Sequence, residues 1–316
     1  MNNEQVAELV VGVVDPELVI EPVVGVVDPE PDPEPVVGVV DSESDPEPIV
    51  AITELCIAGG GQRGISYIGV LKRYEEEGLL KRHLLKKVIG TSIGAFIIGL
   101  YILGYDVHDL YKLLMETDVT SFNDISLKTS ILKGDSLRNW VFNSYNTIID
   151  ANTFTFLDFY KKTNIHFIVC TTCLDEGAVY MDHINTPDVL VYSAIIASCN
   201  LPFIFDPYVI TDKKYIDGGV LENFPMYLLS NKAYGIRTRN HRTNDITTLS
   251  NYLLKLSDIC YQHLSKFKNY DPENVIEIDT SDQPLINFNI NIDEKITLYM
   301  RGYITADHFL KRSKIS

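Results

Sequence analysis

The chain has 316 residues, of which 46% are hydrophobic, so it can bury a large core in one or two domains. Its net charge is −16, but thirteen acidic and no basic residues lie within residues 1–50, and residues 51–316 carry 30 acidic against 27 basic residues. Residues 51–316 are therefore nearly neutral. No excess of basic residues suggests the basic face of a nucleic-acid-binding protein.

The first fifty residues are a repeat. The segment VVGVVDPELVIEP at 10–22 recurs with changes at 23–35 and 36–48, and the three copies together carry eight of the fourteen prolines of the chain. Proline blocks regular structure and the acidic residues repel one another, so we predict a disordered acidic repeat tail over residues 1–50. Its valine-rich units could bind a protein partner.

From residue 51 onward, strand-like and helix-like segments alternate. Strands are predicted at ITELCIAGGG, LLKKVIG, IHFIVCTTCL, KKYID, AYGIR and VIEIDT. Helices are predicted at GISYIGVLKRYEEEGLL and SIGAFIIGLYILG, over most of 106–163, at VLVYSAIIAS and over 295–312. This alternation predicts an α/β fold, with a mostly parallel sheet and helices on both faces.

The five cysteines argue against a disulfide-bonded fold, because their number is odd and most lie in apolar runs. Cys170 and Cys173 have C-x-x-C spacing, but no second pair could complete a zinc site. We expect buried thiols. The amino terminus does not resemble a signal peptide, so an intracellular, cytoplasmic protein is expected, with peripheral contact with membranes.

The apolar segment KKVIGTSIGAFIIGLYILGY, residues 86–105, could be read as a membrane span. Its apolar part, residues 88–105, has the minimum length for crossing a bilayer, and four glycines and Ser92 interrupt it. The positions of these residues favour a strand, a tight turn and a buried helix, and no transmembrane span is expected.

The glycine-rich run Gly59-Gly60-Gly61-Gln62-Arg63-Gly64 lies between a strand and a helix. As a dinucleotide motif it would need an acidic residue at the end of the next strand, which instead ends VIGTS. As a phosphate-binding P-loop it would need lysine at Ile65. A third interpretation is an oxyanion hole, because glycines at a helix start let backbone N–H groups approach a developing negative charge.

The run Gly90-Thr91-Ser92-Ile93-Gly94 is a G-x-S-x-G motif between a strand and a helix. This is the setting of a nucleophile elbow, in which a sharp turn exposes the serine hydroxyl. The N–H of Ile93 would face the glycine-rich run. The alternative is an ordinary glycine-containing turn with an inactive serine.

A serine nucleophile needs a base. The six histidines that follow Ser92 lie in segments that suggest packing or surface roles: His108, His166, His183, His241, His263 and His308. Asp217 is a better candidate, because it ends a predicted strand and Gly218-Gly219 follow it. Burial would raise its pKa and make it a stronger base. The alternative is a solvated acid in an Asp-Gly turn.

Together these motifs closely resemble those of the patatin-like phospholipase family. They are GGGQRG at 59–64, GTSIG at 90–94 and DGG at 217–219, in the order of the family. The segment AIIASCNLPFIFDP at 194–207 adds to the likeness, as do Asn223 and Pro225. The resemblance covers residues 52–230 and leaves out the tail.

The resemblance implies a patatin-like catalytic domain over 51–230, with a strand and helix extension over 231–316 packed against it. It implies a serine hydrolase with a Ser92–Asp217 dyad, no catalytic histidine, no metal and no cofactor. The N–H groups of Gly60 and Gly61, with that of Ile93, would hold the oxyanion.

The implied substrates are membrane or micellar lipids, with a phospholipase A type of reaction on glycerophospholipids. On this view Arg63 either anchors the glycine-rich loop or meets a lipid phosphate, and anchoring is the preferred role. Two alternatives remain open at this point. One is a neutral acylglycerol lipase, and the other is a catalytically inactive domain that acts as an interaction protein through its acidic tail.

Overall fold

The computed structural model describes residues 51–122, 124, 125, 130–239, 252, 255, 259, 270–285, 287 and 289–313. The predicted tail lies outside the described residues, as do Cys260, His241 and His263.

The secondary structure contains every segment predicted from the sequence. The strands are β1 (Glu54–Ile57), β2 (Lys87–Thr91), β3 (His166–Cys173), β4 (Gly177–Met181), β5 (Tyr208–Ile210), β6 (Lys213–Asp217), β7 (Tyr234–Arg239) and β8 (Val275–Asp279). The α-helices of the described residues are α1 (Ile65–Glu76), α2 (Ile93–Leu103), α3 (Val107–Glu116), α4 (Asp135–Asn146), α5 (Phe156–Thr163), α6 (Val191–Ser198) and α7 (Ile292–Ser313). Strands β4 and β5 were not predicted.

The eight strands form one mixed sheet in the order β5–β6–β3–β2–β1–β7–β8, with β4 also paired to β3. Strands β3, β2, β1, β7 and β8 are parallel to their neighbours in this order, whereas β4, β5 and β6 pair in antiparallel fashion. The prediction of an α/β fold with a mostly parallel sheet is therefore confirmed.

The two unpredicted strands belong to hairpins. Three residues join β3 to β4, and only Thr211 and Asp212 join β5 to β6. Both of these residues have positive φ, 45° and 67°, which matches the backbone of a tight two-residue hairpin turn. The sequence lacks the glycine or asparagine that usually marks such a turn, which is why the hairpin was missed.

The sheet separates two hydrophobic clusters, because successive strand residues point to opposite faces. Leu55 and Ile57 of β1 belong to the larger cluster, to which α1, α2 and α6 also contribute. Cys56 and Ala58 belong to the smaller one, which also contains three residues of the segment after β6: Phe224, Met226 and Ala233. A buried strand that is apolar on both faces explains why ITELCIA shows no alternation.

The carboxyl-terminal part of the chain contributes to the same core. Strand β7 pairs directly with β1, so the sheet continues across residue 230. Helix α7 packs along α1, burying Leu298 and Ala306, and Arg73 of α1 forms an ion pair with Asp307 of α7 at 3.0 Å. Among the helices of the described ranges, none combines the length and the apolar character needed to cross a bilayer.

Candidate active site

Strand β3 pairs with three other strands, and two of them, β2 and β6, lie on the same side of it. Strand β2 pairs with His166–Cys170 and β4 with Val169–Cys173. Because both pair with Val169, they lie on opposite edges of β3. Strand β6 pairs with Thr171–Cys173, which β4 already occupies from the other side. Strands β2 and β6 therefore lie on the same edge of β3.

On that edge β2 and β6 approach each other end to end. Strand β2 runs parallel to β3 and ends at Thr91, opposite Cys170. Strand β6 runs antiparallel to β3 and ends at Asp217, opposite Thr171. The carboxyl ends of two strands from distant parts of the chain thus meet at neighbouring positions, and the next residue after β2 is Ser92.

Ser92 has a strained backbone, with φ 51° and ψ −130°, a conformation that is rare for any residue except glycine. Its N–H donates to the hydroxyl of Ser198 at 2.7 Å, and that hydroxyl donates to the carbonyl of Cys170 at 2.6 Å. Ser198 is completely buried. A buried hydroxyl at the end of α6 thus satisfies the N–H group of the strained turn and ties the turn to β3.

The side chains of Ser92 and Asp217 are in direct contact. The Ser92 hydroxyl donates to Asp217 Oδ2 at 2.7 Å, and the N–H of Gly219 donates to Oδ1 at 2.7 Å. Asp217 is 3% exposed. Burial raises the pKa of Asp217 to about 6, although the hydrogen bonds from Ser92 and Gly219 act to lower it. The carboxylate is thus ionised at neutral pH and is a stronger base than an exposed aspartate.

The glycines around these two residues occupy crowded positions. Gly90 lies in β2, and Gly218 and Gly219 form a turn of 3₁₀-helix directly after Asp217. Gly94 lies in the first turn of α2, where an added Cβ would be 2.4 Å from the carbonyl oxygen of Ala58. Only glycine lets α2 start this close to the end of β1.

The glycine-rich run follows β1, which is parallel to β2, so it begins at the same carboxyl end of these strands as Ser92. Gly59 follows β1, and its carbonyl accepts a hydrogen bond from the Tyr67 hydroxyl at 3.1 Å. A 3₁₀ turn then covers Gly61–Gly64. Gly61 has φ 54°, and an added Cβ would lie 2.4 Å from the carbonyl oxygen of Leu285. Gly61 and Ile93 line the same pocket as Ser92.

Arg63 points into the protein, where it is 6% exposed. Its Nε donates to the carbonyl of Gly60 at 3.4 Å, and its own carbonyl accepts a hydrogen bond from Ser66 at 2.7 Å. These contacts fit a role in anchoring the loop better than one in meeting a lipid phosphate.

A pocket with about 890 Å³ of empty space, part of it open to solvent, leads to Ser92. Its lining is mostly apolar and comes from helices α1, α2, α3, α4 and α7, from the glycine-rich run, and from the chain around residues 122, 201–205 and 285–290. The apolar lining residues are Ile65, Ile93, Leu114, Phe122, Leu137, Trp140, Leu201, Ile204, Phe205, Leu285 and Ile290. Such a pocket fits a long hydrocarbon chain.

Two other reactive side chains are poor candidates for the chemistry of this site. Cys199 lines the pocket, but burial and the Asp217 carboxylate raise the pKa of its thiol, which keeps it protonated and weakly nucleophilic. His166 contacts Asp182 through Nε2 at 3.0 Å, but it begins β3. Thr171 is five residues further along β3, a rise of about 16 Å, and it is Thr171 that pairs with Asp217.

Comparison with known proteins identifies the family. A profile of the patatin-like phospholipases matches residues 55–229, more than half of the chain. The chain belongs to the patatin-like phospholipase family. The crystal structure of VipD from Legionella pneumophila, which is 16% identical, superposes with a TM-score of 0.63 over 84% of this chain and 67% of that one. The fold of this patatin-like protein is thus found in a solved structure.

Two relatives have names that refer to lipids. The chain is 24% identical to probable lipid hydrolase 463L of Invertebrate iridescent virus 6, over 82% of this chain and 89% of that protein. It is 26% identical to triacylglycerol lipase 4 of Saccharomyces cerevisiae, over 56% of this chain and 22% of the lipase. The chain of this patatin-like protein is thus similar to proteins named as lipid hydrolases.

Sequence reasoning assigned no role to two groups that the structure of this patatin-like protein places at the site. Ser198 lies in the segment 194–207, which was noted only for its family likeness. The second group is the carboxyl-terminal segment that supplies Leu285, Ile290 and Lys295 to the pocket. It lies beyond the matched residues 55–229, and no local motif marks it.

Proposed function

We propose that this protein is a lipid acyl hydrolase that cleaves fatty acyl esters of glycerophospholipids, with Ser92 as nucleophile and Asp217 as general base. One observation carries the proposal: the 2.7 Å hydrogen bond from the Ser92 hydroxyl to Asp217 Oδ2, in an apolar pocket. A serine becomes a useful nucleophile when a positioned base accepts its proton.

The reaction has two halves. The Ser92 oxygen attacks the ester carbonyl while its proton passes to Asp217 Oδ2. The tetrahedral intermediate then collapses, the ester C–O bond breaks, and Asp217 returns the proton to the leaving alcohol. An acyl-enzyme remains on Ser92. A water molecule, deprotonated by Asp217, attacks the acyl carbonyl and releases the fatty acid as Ser92 regains its proton.

The negative charge of each tetrahedral intermediate would be held by backbone N–H groups of Gly60, Gly61 and Ile93. Ile93 is the first residue of α2, and the first N–H groups of a helix have no acceptor within the helix. The positive end of the helix dipole adds to the stabilisation. The backbone of Gly61, with its positive φ, is held against Leu285 on the other side of the loop.

The pocket also supports a second candidate, a neutral acylglycerol lipase. Lys295 is the one charged side chain among the described residues that line the pocket. Its Nζ donates to the carbonyls of Leu114, Met115 and Thr117, at 3.0, 3.0 and 2.7 Å. All three ammonium hydrogens are thus used, so the pocket wall offers the acyl chain an apolar surface and offers a phosphate no available cation.

The test is release of fatty acid by the purified protein from phosphatidylcholine and, in parallel, from triacylglycerol. We expect release by the wild type, and a loss of at least about 10³-fold in Ser92→Ala and Asp217→Asn, because each removes one partner of the proposed dyad. Ser144→Ala is the matched control, since Ser144 is also a buried serine but hydrogen-bonds only within α4.

Labelling by a fluorophosphonate separates these enzymes from an inactive interaction protein. The proposed mechanism predicts labelling at Ser92, which Ser92→Ala removes. A folded wild-type protein that is not labelled and releases no fatty acid from either lipid would contradict the mechanism. Release from triacylglycerol but not from phosphatidylcholine would favour the acylglycerol lipase.

A further inference from the structure

Three exposed apolar residues lie on chain segments that are paired through their backbones. Ile125, Ile131 and Phe203 are 70%, 58% and 48% exposed, and we refer to them as the apolar rim. The N–H of Ile131 donates to the carbonyl of Phe203 at 3.0 Å, and that of Leu132 donates to Ile204 at 2.8 Å. Ile125 forms an antiparallel bridge with Leu132. Backbone pairing therefore brings the segments that carry the three residues side by side.

The apolar rim continues into the pocket that contains Ser92. Leu201, Ile204 and Phe205, on either side of Phe203 in the chain, line that pocket, and so does Phe122. A single stretch of chain thus has apolar side chains both inside the pocket and on the surface next to it. A lipid acyl chain that enters the pocket from this side would pass the apolar rim.

Phe203 is unfavourable for the fold in two ways. Its φ of 67° lies in the left-handed region, where bulky residues are rare and asparagine or glycine is much better tolerated. Its ring is also half exposed, so it gains little from burial. Strained residues persist where another requirement holds them, and such positions cluster at functional sites. Neither strain nor exposure is explained by packing of the core.

The charge of the chain distinguishes between an anionic and a zwitterionic lipid surface as the partner of the apolar rim. The chain carries a net charge of −16, and residues 51–316 carry −3. The charged residues nearest the apolar rim in sequence are Asp124, Lys128, Lys133, Asp135 and Asp206, with a net charge of −1. Electrostatic attraction to an anionic membrane is therefore not the driving force. Insertion of apolar side chains into a lipid surface needs no such attraction.

We propose that the apolar rim is the surface by which the protein docks onto a zwitterionic lipid–water interface, with Ile131 and Phe203 inserted among the acyl chains. This inference rests on the proposed function, since it places the entrance of the Ser92 pocket against the lipid. The apolar rim then replaces water around the acyl chain as the chain leaves the lipid and enters the pocket.

The experiment measures flotation with phosphatidylcholine vesicles, using the full chain with Ser92→Ala so that no lipid is consumed. Added to this parent, Ile131→Ser with Phe203→Asn should weaken binding by at least about tenfold, because two inserted apolar side chains are lost. The matched control is Ile184→Ser. Ile184 is 65% exposed but lies beside Asp182, which contacts His166 at the amino end of β3. Its substitution should leave binding unchanged, and so should added salt.

Phe203→Asn alone guards against a folding artefact, because asparagine tolerates positive φ. This variant should melt at the same or a higher temperature than the parent and still bind vesicles several-fold more weakly. The inference is overturned if the double variant binds as tightly as the parent. It is also overturned if the parent does not bind phosphatidylcholine vesicles, or binds only anionic vesicles and is released by salt.

Failure of this inference can be told apart from failure of the proposed function. Vesicle binding that depends on the apolar rim, in a protein that releases no fatty acid, would leave the docking surface in place and reject the hydrolase. Conversely, fatty acid release from vesicles that is unchanged in Ile131→Ser with Phe203→Asn would retain the hydrolase and reject the docking surface.

Discussion

At the scale of single residues, Asp217 carries a conflict between stability and activity. Its carboxyl group is buried, which disfavours the charged form, yet the proposed reaction needs that form to accept the Ser92 proton. The hydrogen bonds from Ser92 and from the N–H of Gly219 compensate only in part, so the pKa stays raised at about 6. A carboxylate with such a pKa is close to the best base for work near neutral pH.

This pKa predicts the pH dependence of hydrolysis. Only ionised Asp217 can accept the proton, so kcat/KM for a soluble ester should rise with pH and level off above the pKa of about 6. Below that pH it should fall about tenfold per pH unit. Initial rates across a pH series are the measurement. A profile that stays level down to about pH 4 would show that Asp217 is not the base.

The raised pKa of Asp217 also affects the stability of the fold. The proposed reaction needs the ionised carboxylate, whereas the folded state is more stable with the carboxyl group protonated. The folded state binds the Asp217 proton more tightly than the unfolded chain, whose pKa is near the ordinary 3.8. The associated stability is therefore complete below 3.8 and lost as pH rises through about 6. Asp217→Asn stays neutral, so at neutral pH its free energy of unfolding should exceed that of the wild type by up to about 3 kcal/mol. In urea unfolding, this difference should close near pH 4, the approximate pKa of an unperturbed aspartate.

At the scale of elements, Lys295 joins the carboxyl-terminal helix to the wall of the pocket. It is 5% exposed in the first turns of α7, and burial lowers its pKa. Its ammonium group donates hydrogen bonds to carbonyls at the end of α3, which have no partner within that helix. A cation at a helix carboxyl terminus is also favoured by the helix dipole. These hydrogen bonds tie α7 to the end of α3, and the rings of Tyr111 and Tyr299 also pack edge to face between the two helices.

Replacement of Lys295 should therefore be costly. We expect Lys295→Met to lower the free energy of unfolding by about 3 kcal/mol, because it leaves buried carbonyls without donors. Lys311→Met is the matched control on the same helix: Lys311 is 67% exposed and pairs with Asp307, so its loss should cost less than about 1 kcal/mol. Urea titration of both variants gives the comparison. Equal losses would show that the three hydrogen bonds do not stabilise the fold.

At the scale of the whole molecule, the charge and the core are separated along the chain. Thirteen of the 43 acidic residues lie within residues 1–50, where there is no basic residue. The residues of the candidate site and the strands of the sheet all lie beyond residue 50. We therefore propose a boundary at residue 50, with residues 51–316 folding without the tail, and with β7, β8 and α7 extending the core of 51–230.

Deletion of residues 1–50 tests this boundary. The truncated protein, with a net charge of −3, should keep its unfolding midpoint and should hydrolyse a soluble ester within about twofold of the full chain. Circular dichroism in urea and initial rates provide the two measurements. A truncated protein that does not fold would place the boundary elsewhere. A large change in rate would assign the tail a part in the reaction.

The sequence allowed the parallel core and the motifs to be predicted because each is a local pattern. Three successive patterns specify a strand, a sharp turn and a helix within about twenty residues. They are a run of apolar residues, glycines at fixed spacing around Ser92, and apolar residues at helical spacing. The order of the three motifs sufficed for the family likeness. Strand β5 escaped prediction because three residues show no usable period and no glycine or asparagine marks the turn after it, and β4 (GAVYM) shows no alternation of apolar and polar residues.

Local patterns in the sequence therefore specify the set of chemical groups: a serine in an elbow, an aspartate before two glycines, and a glycine-rich run. The hydrogen bond between Ser92 and Asp217, which are 125 residues apart, follows from the tertiary structure alone. Their meeting depends on β2 and β6 ending on the same edge of β3. The supporting Ser198 and the pocket residues Leu285 and Lys295 depend in the same way on α6 and α7. Contacts between distant segments follow from strand order, register and helix packing, and no local period encodes them.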